Sequence, residues 1–138
     1  MQNTILRTTP QPVERILHYR HERLLQRYVA DNCTTKETAE QVFSGFKQFM
    51  VVCAVKPGPK ITSEPIDRMW HCFLLFTKDY KEFCDNYLGR FINHEPFEQA
   101  APDTYLETRA FAKDFFGDID ERLWPVEAKS DCSSGCGE

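Results

Sequence analysis

Asp67 and His71 stand four residues apart, the spacing that places two side chains on one face of a helix. There a carboxylate can accept the imidazole N–H and set the ring's tautomer, as the outer partners of metal-bound histidines do. Cys84 and His94 follow downstream. One thiolate and two imidazoles, from Cys84, His71 and His94, make a ligand set for a soft-to-borderline divalent ion, zinc first or another transition metal ion. Three protein ligands leave a position for water, the build of a catalytic zinc site. A second thiol pair, Cys132 and Cys136, brackets Ser133-Ser134-Gly135. That spacing is not the C-x2-C of zinc knuckles or thioredoxin-type motifs. On a segment of Ser and Gly the two thiols can still share one ion or close a disulfide. Folded back onto the His71/Cys84/His94 group, they would close it into a structural or storage-type site.

The same residues have packing readings. His71 beside Trp70 suits a hydrogen-bonded ring at a helix crossing. Cys84 lies on an apolar stripe, and unpaired cysteines are among the most buried residues. His94 before Glu95-Pro96 suits a turn. The spacing H-x12-C-x9-H is no established finger pattern. A Cys84/His71 nucleophile pair is disfavoured, because a thiol on a buried stripe makes a poor thiolate. There is no glycine-rich phosphate loop and no G-x-S-x-G elbow. His18 and His21 are expected on a solvent-exposed helix face. Cys33 and Cys53 are expected to be structural. Cys72 flanks His71 but points about 100° away around the helix.

These residues need helices to position them. Pro10 and Pro12 suit a first turn, and Val13, Ile16, Leu17, Leu24, Tyr28 and Val29 recur at helical spacing to about Ala30. Asp31-Asn32 breaks that helix. Thr34 with Glu37 fits a capping box for a second helix running to about Val55. Gly45 inside it, at a cost of up to ~1 kcal/mol against Ala, is expected where another element comes close. Lys56-Pro57-Gly58-Pro59 is a stop. Ile61-Thr62 suits a short extended stretch. Ser63 is the expected N-cap of a third helix, with Pro65 in its first turn and Ile66, Met69, Trp70, Phe73 and Leu74 inward. Thr77 is the expected cap of a fourth, over 78–88, closed by Gly89. Pro102-Asp103 opens a fifth, which Gly117 stops. Leu123-Trp124-Pro125 is expected to fold back onto the helices. The expected architecture is an all-α, single-domain bundle of about five helices, with no strand pair. Residues 1–9 read as an arm, 10–125 as the helical domain, and 126–138 as a flexible tail unless something ties it down.

Composition bounds the function. The 138 residues are 41% hydrophobic and 28% charged, ordinary for one globular domain, and eleven are Phe. The formal net charge of −4 argues against a nucleic-acid partner. The longest apolar run, Phe49 to Val55, is far short of the roughly 20 residues that span a membrane. The first residues carry no apolar stretch of a signal peptide, so a cytoplasmic location is expected. The six cysteines are then read as buried thiols, metal ligands or redox groups before disulfides. Ring-rich helix faces also suit a protein partner or an oligomer interface.

Pro65-Ile66-Asp67-Arg68-Met69-Trp70-His71, Thr77-Lys78-Asp79-Tyr80, Phe83-Cys84, Gly89-Arg90-Phe91 and His94-Glu95-Pro96 together resemble the glycine-rich domain-containing protein-like family. The likeness covers about residues 60–125, with Tyr105, Thr108, Phe116-Gly117 and Trp124 downstream. It implies an all-α fold and a shared polar site on Asp67, His71, Cys84 and His94, with Trp70 and Tyr80 beside the ligands. It implies no established activity. Two positions where many members carry histidine hold Phe73 and Asn93 here.

The function expected on these grounds is a small helical domain holding a transition metal ion in a scaffolding or metal-handling role. His71, Cys84 and His94 are its ligands, Cys132 and Cys136 further ones, and Asp67 orients His71. A metal-free protein-interaction module and a metal-dependent hydrolytic enzyme are the two alternatives.

Overall fold

A computed structural model describes residues 12–96, 102–126 and 134–136. The N-terminal arm expected over 1–9 lies outside the described residues. Six α-helices dominate: α1 (Val13–Leu17), α2 (Glu22–Asn32), α3 (Lys36–Val55), α4 (Glu64–Leu74), α5 (Thr77–Phe83) and α6 (Pro102–Phe116). A π-helical turn, Cys84–Leu88, extends α5. Three very short strands sit at one edge: β1 (Lys60–Ile61), β2 (Glu95–Pro96) and β3 (Ser134–Cys136). The all-α class expected from the sequence is what the chain adopts.

Helix α3 is the spine. It packs against α1, α2, α4 and α6. Ala39, Val42, Phe43, Phe46, Phe49, Met50 and Cys53, the apolar stripe of its sequence, are all buried. Phe46, Phe49, Trp70, Phe73, Tyr80 and Phe83 form a continuous ring cluster between α3, α4 and α5. Gly45 lies where Leu123 and Ile66 press close against the helix. A Cβ there would meet Leu123 Cδ1 at 2.9 Å and Ile66 Cδ1 at 3.3 Å. Trp124 folds back onto Phe49, as its sequence context implies.

The first expected helix is two. Residues 18–21 interrupt it, and α2 restarts with His21 as N-cap, its Nδ1 accepting the Leu24 N–H. The carbonyls freed at the break are held from below: Lys47 Nζ donates to Leu17 O at 2.6 Å and to Tyr19 O at 2.9 Å. Periodicity did not register the break, because the apolar residues on both sides meet the same core. Three caps also differ. Thr35, not Thr34, caps α3, accepting from the Thr38 N–H. Thr77 is the first residue of α5 rather than its cap. Ser63 caps α4 with its backbone only, since its hydroxyl donates to the Leu123 carbonyl. The firm stops hold: Gly89 and Gly117 turn the chain with φ of 84° and 81°.

The sequence reading of no strand pair is corrected at one edge. β3 lies between β1 and β2, antiparallel to both, pairing Lys60 with Cys136, Ile61 with Gly135, Glu95 with Gly135 and Pro96 with Ser134. Backbone pairing is the tie that the apolar-poor tail needed. No helix among the described residues is long and apolar enough to cross a membrane.

Candidate metal centre

Asp67 occupies the first turn of α4 and His71 its last, the ends where a helix dipole favours an anion and a cation. One turn apart, they share a face, and His71 Nε2 lies 3.5 Å from Asp67 Oδ2. His94 comes to the same carboxylate from the loop after the π-helical turn. Its Nε2 lies 2.8 Å from Asp67 Oδ1. The two imidazole centroids are 4.6 Å apart. One ligand atom from each of Asp67, His71 and His94 lies within 4.8 Å of the others.

The loop reaches that position because buried polar groups hold it there. Trp70 Nε1 donates to Tyr80 Oη at 3.0 Å, and the Tyr80 hydroxyl donates in turn to the Ile92 carbonyl. Trp70 also lies with its ring centroid 4.2 Å from that of His94. Through these contacts Trp70 and Tyr80 hold the loop that carries His94 against α4. Burial pushes the Tyr80 hydroxyl far above its ordinary value, so it stays protonated and donates.

The group is graded in exposure. The His94 side chain is 9% exposed, Asp67 20% and His71 56%. A desolvated carboxylate and imidazole thus face a second imidazole open to solvent. Two nitrogens, one carboxylate oxygen and an open side are the elements from which a two-histidine, one-carboxylate site could be built.

The structure brings together His71 and His94 of the sequence-expected ligands. Cys84 is elsewhere. It is fully buried, with its thiol against the Ile92 backbone and the Tyr80 hydroxyl, and burial pushes its pKa up. Among the described residues it is not in the ligand group. Asp67, expected to orient His71 from behind, lies between the two imidazoles as a ligand would. Its i, i+4 relation to His71 was the signal, since such a carboxylate can ligate as well as orient. Cys132 lies outside the described residues, and of Cys136 the backbone strand is described.

Two further groups escaped the sequence reading. His21 is not the exposed face residue expected. Its side chain is 10% exposed, and Nε2 lies 2.7 Å from Asp79 Oδ2. Its ring packs against Tyr19, Phe73 and Phe76. The break in α1 hid this, because a continuous helix turns His21 outward. Lys47 is buried, with its Nζ 4.6 Å from the centroid of Phe43. Its place four residues after Phe43 on an apolar stripe was the available signal. His18 is exposed, Cys72 is buried and Cys33 exposed, with Cys33 at the end of α2 in the left-handed region (φ 50°).

No curated protein and no solved structure matches this chain. A family model does, the one described as UCP032817-like, over residues 11–114. It takes in α1 to α5 and nearly all of α6, whereas the resemblance to the glycine-rich domain-containing protein-like family rested on scattered residues from 60 onward. That resemblance is therefore corrected: the rare residues around Trp70-His71 fall in register without marking that family. Measured over three quarters of its length, the chain belongs to the UCP032817-like family.

Proposed function

We propose that this domain binds a divalent transition metal ion, zinc favoured, through Asp67, His71 and His94, in a scaffolding or metal-handling role in the cytoplasm. The observation that supports it is the convergence of three ligand atoms within 4.8 Å on a half-open site. The supports are rigid, which a metal site needs: one helix supplies two ligands, and a buried Trp70–Tyr80–Ile92 chain fixes the third. The charge balance agrees. One carboxylate and two neutral imidazoles suit a divalent ion whose remaining positions take water or a partner's side chain. In the absence of an ion, the contact between His94 Nε2 and Asp67 Oδ1 holds the same groups together.

The test is metal analysis of protein purified without chelator and after reconstitution under reducing conditions. Near-stoichiometric metal in the wild type, lost in His71→Ala and His94→Ala, supports the reading. Folded wild type that takes up no metal ends it.

The metal-free interaction module has its own support. The 2.8 Å contact from Asp67 to His94 ties a loop to a helix without any ion. A folded protein without metal, destabilised by His94→Ala, would favour that reading.

A further inference from the structure

We propose that the cleft where α2, α3 and α4 meet the turn before Trp124 binds a small organic oxyanion, a carboxylate or a phosphate, between Arg68 and Arg122. The site is independent of the metal reading, since none of Asp67, His71 and His94 lines it. Its volume is about 340 Å³, near the lower end for small-molecule sites. Among the described residues that line it, the charged ones are Arg68 and Arg122, and no carboxylate faces a ligand there. Glu64 and Asp120 pair with the two arginines from outside the cleft, at 2.6 Å and 2.9 Å. Both pairs are open to solvent, where such pairs hold weakly. Arg68 meets Glu64 through Nη2, and Arg122 meets Asp120 through Nε and Nη2. A guanidinium has five N–H donors in a planar fork, so each keeps donors for an oxyanion.

Tyr28 supplies the second observation. It lines the cleft and is only 4% exposed. Among the described residues its hydroxyl has no hydrogen-bond partner. Burial raises that hydroxyl above its ordinary value and the Arg68 charge opposes the rise, so the group stays protonated, within reach of the Arg68 field. A phenol this enclosed and without a partner is one that a ligand can satisfy. Around it, Asn32, Thr38 and Gln41 add amide and hydroxyl groups. The Asn32 amide is oriented by its own bond, Nδ2 donating to the Tyr28 carbonyl at 3.0 Å. Val42 and Leu123 supply apolar wall. The cleft therefore suits a ligand with an anionic head on the two guanidiniums and a short hydroxylated body against Tyr28.

The test is a titration of the ¹⁵N-labelled full chain, at constant ionic strength, with inorganic phosphate, glycerol 3-phosphate and malate, and with glycerol as the uncharged control. Saturable shifts are expected at the amides of Asn32, Thr38 and Gln41, with at least one organic anion binding more tightly than inorganic phosphate. A preference for malate assigns the head to a carboxylate and one for glycerol 3-phosphate to a phosphate; either supports the site. Arg68→Gln and Arg122→Gln, each confirmed helical by circular dichroism, should weaken binding roughly 10-fold. Tyr28→Phe should weaken it roughly fivefold. Lys113→Gln, on an exposed position of α6, should leave it unchanged. No saturable shift with any of the three anions overturns the proposal. So does glycerol binding as well as they do, or a loss in Lys113→Gln that matches those in the arginine variants.

Discussion

Asp67 Oδ1 lies 2.8 Å from His94 Nε2, joining residues 27 positions apart in the chain, while its other oxygen lies 3.5 Å from His71 Nε2. One carboxylate therefore spans two imidazoles, one carried by a helix and one by a loop. Replacing it isosterically separates charge from shape. Asp67→Asn keeps an oxygen able to accept from His94 but loses the anion. Stability should fall by about 1 kcal/mol or less, while metal affinity falls at least roughly 10–100-fold. Denaturant melts beside a competitive zinc titration check both. Equal affinity in the two proteins would remove Asp67 from the ligand set.

Tyr80→Phe removes one hydroxyl and leaves two buried partners, Trp70 Nε1 and the Ile92 carbonyl, without it. The expected loss is about 1–3 kcal/mol. Because Ile92 is two residues before His94, metal affinity should fall as well, although Tyr80 touches no ligand. Chemical denaturation and the same zinc titration measure the two effects. A stability loss with unchanged affinity would mean that the loop is positioned by Trp70 stacking alone.

Gly45 leaves room for Leu123 and Ile66. Gly45→Ala gains up to ~1 kcal/mol of helix propensity but inserts a methyl group at 2.9 Å from Leu123 Cδ1. Overpacking of this kind costs about 1–3 kcal/mol, so the net change should be destabilising. A rise in the melting midpoint would show that the Leu123 side chain moves aside freely.

Burial pushes the Lys47 amine down to about 8, with the Arg20 charge adding and Glu40 opposing. Between that value and the ordinary lysine value the folded chain holds fewer protons than the unfolded one. Its stability contribution is thus present above the unfolded value and lost as pH falls through about 8. Cys72 and Tyr19 act in the opposite sense. Burial pushes them up to about 11 and about 12, with Asp31 adding at Cys72 and Asp79 at Tyr19. Their contributions are present below the ordinary thiol and phenol values and are lost as pH rises through the shifted ones. Stability should therefore climb from about pH 8 to about pH 9, then flatten and decline at higher pH. Lys47→Met should abolish the climb and leave the decline. Denaturation midpoints across that range measure it, and parallel curves for the two proteins would contradict it.

Much of this molecule is legible in its residues, for physical reasons. The stripe of α3, the stops at Pro57–Pro59, Gly89 and Gly117, and the return of Trp124 follow from periodicity and backbone preference. So does the Asp67–His71 face, because i, i+4 spacing determines geometry within one helix. What stayed hidden depends on distant partners. Nothing local at His21 announces Asp79, 58 residues on, and nothing in α1 announces that Lys47 will take up its carbonyls. Residue type alone suits Cys84 to metal binding, but its place on a stripe with Tyr80 and Phe83 buries it in the core. The pairing of β3 with β1 and β2 was out of reach, since two-residue strands carry no alternation to detect.

The central claim is that Asp67, His71 and His94 hold one ion. Its most direct test is competitive zinc titration of the wild type beside Asp67→Asn, His71→Ala and His94→Ala, each confirmed helical. The account predicts near-stoichiometric binding in the wild type and a loss of at least roughly 10–100-fold in every variant. Wild type without stoichiometric zinc, or binding that withstands all three substitutions, would contradict it.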